Sequence, residues 1–161
     1  MAQPYIIPPP HNHDEVYLLT TAKAADSDKL DGLDSTAFGR PVFLTTPLTS
    51  TSWDGDSFST TGKTLIDLST VFGVPAGVKA VMVKIALRDS GSAAASCIFQ
   101  LSGVSSGTNY SLTAIASPIA DRFAYYSGIV PCDANGDVYY QINASGSATM
   151  DVYLEIWGYW L

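Results

Sequence analysis

His11 and His13 are the two histidines of this chain, and they stand two positions apart. On an extended segment that spacing puts both imidazoles on one face, with Cα atoms roughly 6.5 Å apart. One chain then offers two nitrogen donors, fewer than a stable metal site takes. Two readings follow. The pair is either an ordinary solvated pair in a leader, or part of a shared site. Three parallel copies about a threefold axis would bring six imidazoles together, enough for one octahedral ion such as iron, nickel or zinc. The metal reading therefore requires trimerisation.

Other residues with chemical potential read more plainly. Gly62-Lys63-Thr64 looks like the end of a phosphate-binding loop, but the position five before Gly62 is Ser57 and no helical pattern follows. It reads as the entry to a strand. The acidic sets Asp26/Asp28/Asp31/Asp34 and Asp54/Asp56 lack the twelve-residue spacing ending in Glu that a calcium loop needs, and read as surface turns. Asp133-Ala134-Asn135-Gly136-Asp137 carries the Asn-Gly of a tight turn. With both histidines in the leader, a Ser/His/Asp triad has no base, and nothing singles out a pair of carboxylates for glycoside hydrolysis. The expectation is a protein that is not an enzyme. Cys97 and Cys132 lie in unrelated strand-like segments and have no CxxC partner. They read as free, buried small hydrophobes in preference to a disulfide.

The elements that must position these residues change character along the chain. Pro4, Pro8, Pro9 and Pro10 impose an extended entry, because each lacks an amide donor and restrains the residue before it. The Asp31-Gly32 step predicts a turn, and Asp34-Ser35-Thr36-Ala37-Phe38 a cap with less than two helical turns behind it. Residues 41–60, dense in Thr and Ser, read as a linker or one edge strand. From Gly62 the pattern is serially β. Lys63–Leu68, Ser96–Leu101, Tyr110–Ala116 and Arg122–Val130 read as strands, and Val71–Gly77 as turn. Val81, Val83, Ile85 and Leu87 alternate with Met82, Lys84, Ala86 and Arg88 in a long half-buried strand.

The last two strands are expected to form a hairpin through Ser145-Gly146-Ser147. Val138, Tyr140 and Ile142 would face in, together with Val152, Leu154 and Ile156. The fold class expected is therefore all-β: an antiparallel, jelly-roll-like β-sandwich head. By strand parity the outward set of that hairpin is Tyr139, Gln141, Tyr153, Glu155, Trp157 and Tyr159. Aromatics at solvated positions fit either a sugar-stacking surface or a subunit interface. The interface is preferred because large apolar patches on a monomer are rare.

Composition bounds the rest. The chain has 161 residues, enough for one domain and an appendage. Only 14% of its residues are charged, against roughly 25% in an average soluble domain, so Ser, Thr, Asn and Gly must carry solubility. A net charge of −7 opposes nucleic-acid phosphates. There is no run of about twenty apolar residues, so membrane insertion is not expected. The start Met1-Ala2-Gln3-Pro4 lacks the basic and apolar stretches of an export signal. Synthesis in a cytosol and exposure as part of a larger particle is the expectation.

Asp28-Lys29-Leu30-Asp31-Gly32-Leu33-Asp34-Ser35-Thr36-Ala37-Phe38 is similar to the "ADxLDGxDSxxF" segments of bacteriophage tail fibres and related receptor-binding fibres. His11-Asn12-His13-Asp14-Glu15-Val16-Tyr17-Leu18 resembles their "HxHxxxYL" units. The likeness covers residues 11–38, in a single copy. It implies three intertwined parallel chains, with Leu30, Leu33 and Phe38 turned to neighbouring chains and His11 and His13 holding one metal ion per trimer.

Residues 1–40 would then be an attachment leader and short stalk, and 61–161 a head. The function implied is a homotrimeric virion appendage, on tail, neck or head, that attaches to a host-surface glycan or protein by multivalent binding. Other virion proteins would be held through the N-terminus. Contact points are expected in the loops Ser102–Asn109 and Asp133–Asp137. A glycan-degrading depolymerase head and a purely structural decoration protein are the alternatives.

Overall fold

The computed structural model describes residues 29–30, 33–34, 39–50, 52–53, 55, 60, 62–91 and 97–161. The chain divides into two units, Met1–Phe38 and Gly39–Leu161. In the first, β1 (Lys29–Leu30) pairs antiparallel with β2 (Leu33–Asp34), Leu30 opposite Leu33. The turn that the sequence predicts at Asp31-Gly32 itself lies outside the described residues. His11, His13 and Phe38, and the side chains of Leu30 and Leu33, lie outside the described residues.

The second unit is an all-β sandwich. Its strands are β3 (Pro41–Thr49), β4 (Thr64–Ile66), β5 (Ala80–Asp89), β6 (Ile98–Ser102), β7 (Leu112–Ile115), β8 (Ala124–Pro131), β9 (Val138–Asn143) and β10 (Met150–Trp160). They form two antiparallel four-stranded sheets, ordered β3-β10-β5-β8 and β4-β9-β6-β7. Except between β6 and β7, each strand is followed in sequence by one in the opposite sheet. That order is the jelly roll, an eight-stranded closure of two Greek keys. Residues 41–49, read from sequence as linker or edge strand, supply the edge strand β3, and its Pro47 sits where a missing amide donor is tolerated.

The alternation predicted for β5 holds throughout. Val81, Val83, Ile85 and Leu87 are fully buried, while Met82, Lys84, Ala86 and Arg88 face out. Across the sandwich they meet Phe99, Leu101, Ala114, Val138 and Ile142 in one core. Burying each large aliphatic side chain contributes about 1.5–3 kcal/mol, more than the roughly 1 kcal/mol span of strand propensities. Facing is therefore set by the apolar alternation.

The structure differs from the sequence reading at three points. The stretch after β4 is a one-turn helix, α1 (Leu68–Phe72). Asp67 caps it by accepting from the Thr70 amide at 2.9 Å, and Gly73, at φ 72°, ends it by donating to the Ser69 carbonyl. Leu68 and Phe72, four apart, bury the inner side.

Next, β9 and β10 do not form a hairpin. Each lies second in its own sheet, and the segment between them crosses the end of the sandwich. Asp89 holds that crossing. This buried carboxylate accepts from the Ser145 amide at 2.9 Å and the Gly91 amide at 2.9 Å, and from the hydroxyls of Ser145 and Thr149.

Finally, β10 carries a bulge. Ile156 pairs with Val83 and Gly158 with the adjacent Met82, which leaves Trp157 unmatched. The extra residue inverts the facing that follows.

Candidate functional site

The loops expected from sequence to make contacts meet at one end of the sandwich. The 102–110 segment leaves β6, and the 131–137 segment leaves β8. They touch at Gly103, where an added Cβ would lie 2.4 Å from the Pro131 carbonyl oxygen. Glycine is required for that approach. Between them is a cleft of about 340 Å³, lined by Ser102, Gly103, Val104, Asn109, Tyr110, Ser111, Pro131 and Cys132.

Lys63 fixes the first loop. Its Nζ donates to the carbonyl oxygens of Asn109 (2.8 Å), Ser106 (3.1 Å) and Val104 (3.2 Å) and to Ser102 Oγ (3.0 Å). It also lies 4.7 Å from the centre of the Tyr110 ring, a cation–π contact. Ser102 Oγ in turn donates to the Asn109 carbonyl. Lys63 enters β4, as the sequence reading of Gly62-Lys63-Thr64 implies, but the loop-fixing role of its ammonium was missed. The signal available was a lone Lys at a strand entry within a Lys-poor chain.

Asp133 organises the second loop. Its Oδ1 accepts from the amides of Asn135 and Asp137, both at 2.9 Å, and its Oδ2 from the Tyr139 hydroxyl at 3.1 Å. Burial raises its pKa, but these hydrogen bonds outweigh that and hold it below the ordinary carboxylate value. Gly136, at φ 93°, completes the tight turn expected of Asn-Gly. Asp137 accepts the first helical amide, that of Leu68, at 3.0 Å. Its carboxyl is nonetheless raised, first by burial and then by the charges of Asp67 and Asp133.

Both cysteines are free, Cys97 buried and Cys132 half-buried. Burial together with Asp133 and Asp137 pushes the Cys132 thiol up to about 12, so its nucleophilic thiolate is scarce at neutral pH.

The six residues expected to form one aromatic face are divided. Tyr139 and Gln141 lie on β9, in the β4-β9-β6-β7 sheet, while Tyr153, Glu155 and Trp157 lie on β10, in the other. The two groups face away from each other because β9 and β10 are not a hairpin. Gln141 Oε1 is engaged by the Tyr110 hydroxyl, which joins it to the loop cleft. Tyr159 does not face out at all. Beyond the bulge at Trp157 it pairs with buried Val81 and packs against the core, and Trp160 takes the outward place, its ring 6.4 Å from that of Phe43.

The outer face of the β3-β10-β5-β8 sheet also gathers aromatics that sequence parity did not group. One row crosses all four strands: Phe43, Gly158, Met82 and Ile129 are register partners. A Cβ on Gly158 would lie 3.6 Å from both the Phe43 ring and the Met82 methyl, so these two side chains converge over its backbone. A second row is Tyr153, Ala86 and Tyr125, with Phe123 bridging the rings at centroid distances of 5.7 and 6.3 Å. Between the rows, Glu155 Oε2 accepts from Trp157 Nε1 at 2.9 Å and Lys84 Nζ at 3.2 Å. The Trp157 bond, then Lys84, lowers its pKa below the ordinary value despite burial. Arg88 pairs with Asp151 and with Asp121, and lies over the Phe123 ring.

No protein-family model matches the chain, and no curated protein matches it in sequence. No helix among the described residues is long and apolar enough to cross a membrane.

Proposed function

We propose that the chain is a homotrimeric virion appendage that attaches to a host surface by multivalent binding. The observation that carries this reading is the pair of surface loops meeting across one cleft, each fixed in advance by its own half-buried anchor. Lys63 holds 102–110 and Asp133 holds 131–137. Loops ordered before contact lose little entropy on binding. Their exposed residues include Ser105, Ser106, Thr108 and Asn109, hydroxyls and an amide suited to glycan hydroxyls. The jelly roll adds support by analogy alone, since viral capsid and lectin domains share it.

Three such clefts on one trimer would turn weak contacts into firm attachment through effective concentration. In this reading the leader joins other virion proteins. Leu30, Leu33 and Phe38 pack the stalk, and three copies of His11 and His13 supply six imidazoles to one iron, nickel or zinc ion.

Glycan arrays and whole-cell binding with the full chain test the proposal. Binding that Asn109→Lys abolishes, with unchanged sedimentation, is the expected result. Failure to bind any host surface would favour the structural decoration protein. Release of reducing sugar from host polysaccharide would favour the depolymerase.

A further inference from the structure

We infer that the outer face of the β3-β10-β5-β8 sheet is covered by a second copy of this chain. The inference rests on the homotrimeric reading and assigns the surface through which the heads meet. Phe43, Tyr125, Tyr153 and Ile129 are 67%, 66%, 57% and 54% exposed on this one face. At roughly 150–250 Å² for an aromatic side chain, these four leave on the order of 500 Å² of apolar surface. Half-buried Met82, Phe123, Trp157 and Trp160 extend it. Summed over the two rows, that area lies within the roughly 300–600 Å² of the largest patch on a typical monomer, and the half-buried residues bring it closer to the roughly 800 Å² per partner of a standard interface.

Charge on this face does not oppose that occupant. The chain carries −7 overall, which sets copies against each other, yet Lys84, Arg88, Asp121, Asp151 and Glu155 on this face are joined in ion pairs. Each of these charges keeps a partner when the face is covered, with Arg88 shared between Asp121 and Asp151. The Trp157 indole is likewise satisfied within the face, by Glu155. A sugar platform needs polar groups left open to hydroxyls, and here Glu155 and the Trp157 indole are committed to each other. The two apolar rows differ, Phe43/Met82/Ile129 against Tyr153/Phe123/Tyr125. A heterologous contact, the first row of one copy on the second row of the next, closes into a threefold ring only where the rotation between copies is about 120°.

Hydroxyl-radical footprinting of the full chain, read by mass spectrometry beside sedimentation velocity, tests this. Phe43 and Tyr153 should react several-fold more slowly in the assembled wild type than in an Ile129→Lys/Tyr125→Lys variant, whose substitutions fall on exposed positions. Leu65→Lys, on the opposite sheet, should leave that protection unchanged. A wild type that assembles while Phe43 and Tyr153 react as fast as in the variant overturns this inference and leaves the trimer standing. Protection that appears only when a host glycan is added overturns it in favour of a ligand surface. A wild type that sediments as a monomer at every concentration removes the homotrimer and this face together.

Discussion

The two outward faces of the sandwich are built from similar strands and treat polarity in opposite ways. On the β4-β9-β6-β7 sheet the outward residues bond in hydrogen-bonded pairs: Gln100 Nε2 donates to Thr113 Oγ1 at 3.2 Å, and Gln141 is engaged by Tyr110. This face runs into the anchored loops and their cleft. On the β3-β10-β5-β8 sheet the outward residues are aromatic rows with ion pairs between them. The first face is finished in water, whereas the second has its charges settled and its apolar surface still open. Hydrophobic content alone would not separate them, since Leu65 and Ile115 are exposed on the first. What separates them is continuity across strands.

Gly158→Val should break the contrast most severely. Its Cβ would sit 2.8 Å from the Val42 carbonyl oxygen. Edge strand β3 must then move away and the Phe43–Met82 row part, at about 3 kcal/mol, read from urea unfolding.

Asp89→Asn should act on both faces alike, because it loosens the crossing that joins β9 to β10, by about 2 kcal/mol at pH 7. Burial raises the Asp89 carboxyl, but hydrogen bonds from Ser145, Gly91 and Thr149 outweigh it, so its folded pKa lies below the unfolded one. Its contribution is fully present above an unfolded carboxylate pKa of about 4 and is lost as pH falls through the lower folded value. The gap between wild type and variant should therefore close on acidification, measured by urea unfolding from pH 7 down to pH 3.

Lys63→Met should affect the polar face alone. About 1 kcal/mol of stability is expected to go, and hydrogen exchange over 103–109 should quicken while β5 and β8 keep their protection. Arg at this position should not restore it, because a planar fork does not fit a ring of carbonyls around a compact ammonium.

The smallest effect is expected from the Lys84/Glu155 pair. A double-mutant cycle with Lys84→Met and Glu155→Gln should give a coupling of about 0.5 kcal/mol in dissociated chains. A larger coupling in assembled chains would sharpen the distinction between the faces.

Much of this was legible in the sequence where one strong local signal acts. The β5 alternation announced its own facing, and Asn135-Gly136 its turn. The two anchored loops could each be placed between strands, but not that they are neighbours, because that follows from how strands switch sheets. The β9–β10 hairpin failed for the same reason. Two strands separated by six residues satisfy a hairpin pattern equally well whether they pair or cross, and the buried Asp89 that holds the crossing lies some fifty residues upstream. Tyr159 was misplaced because parity counting has no means of detecting one inserted residue, and the bulge at Trp157 inverts everything after it. The α1 turn was hidden by its length, since five residues give a helical period too little room to show.

The ammonium of Lys63 has a further consequence. Many proteins order a surface loop by surrounding a dissolved cation with carbonyl oxygens, and such a loop depends on the ion being supplied. Here the cation is tethered by a covalent stem, so its local concentration cannot be diluted. A chelator, a desalting step or ion-poor fresh water would leave the loop as it was.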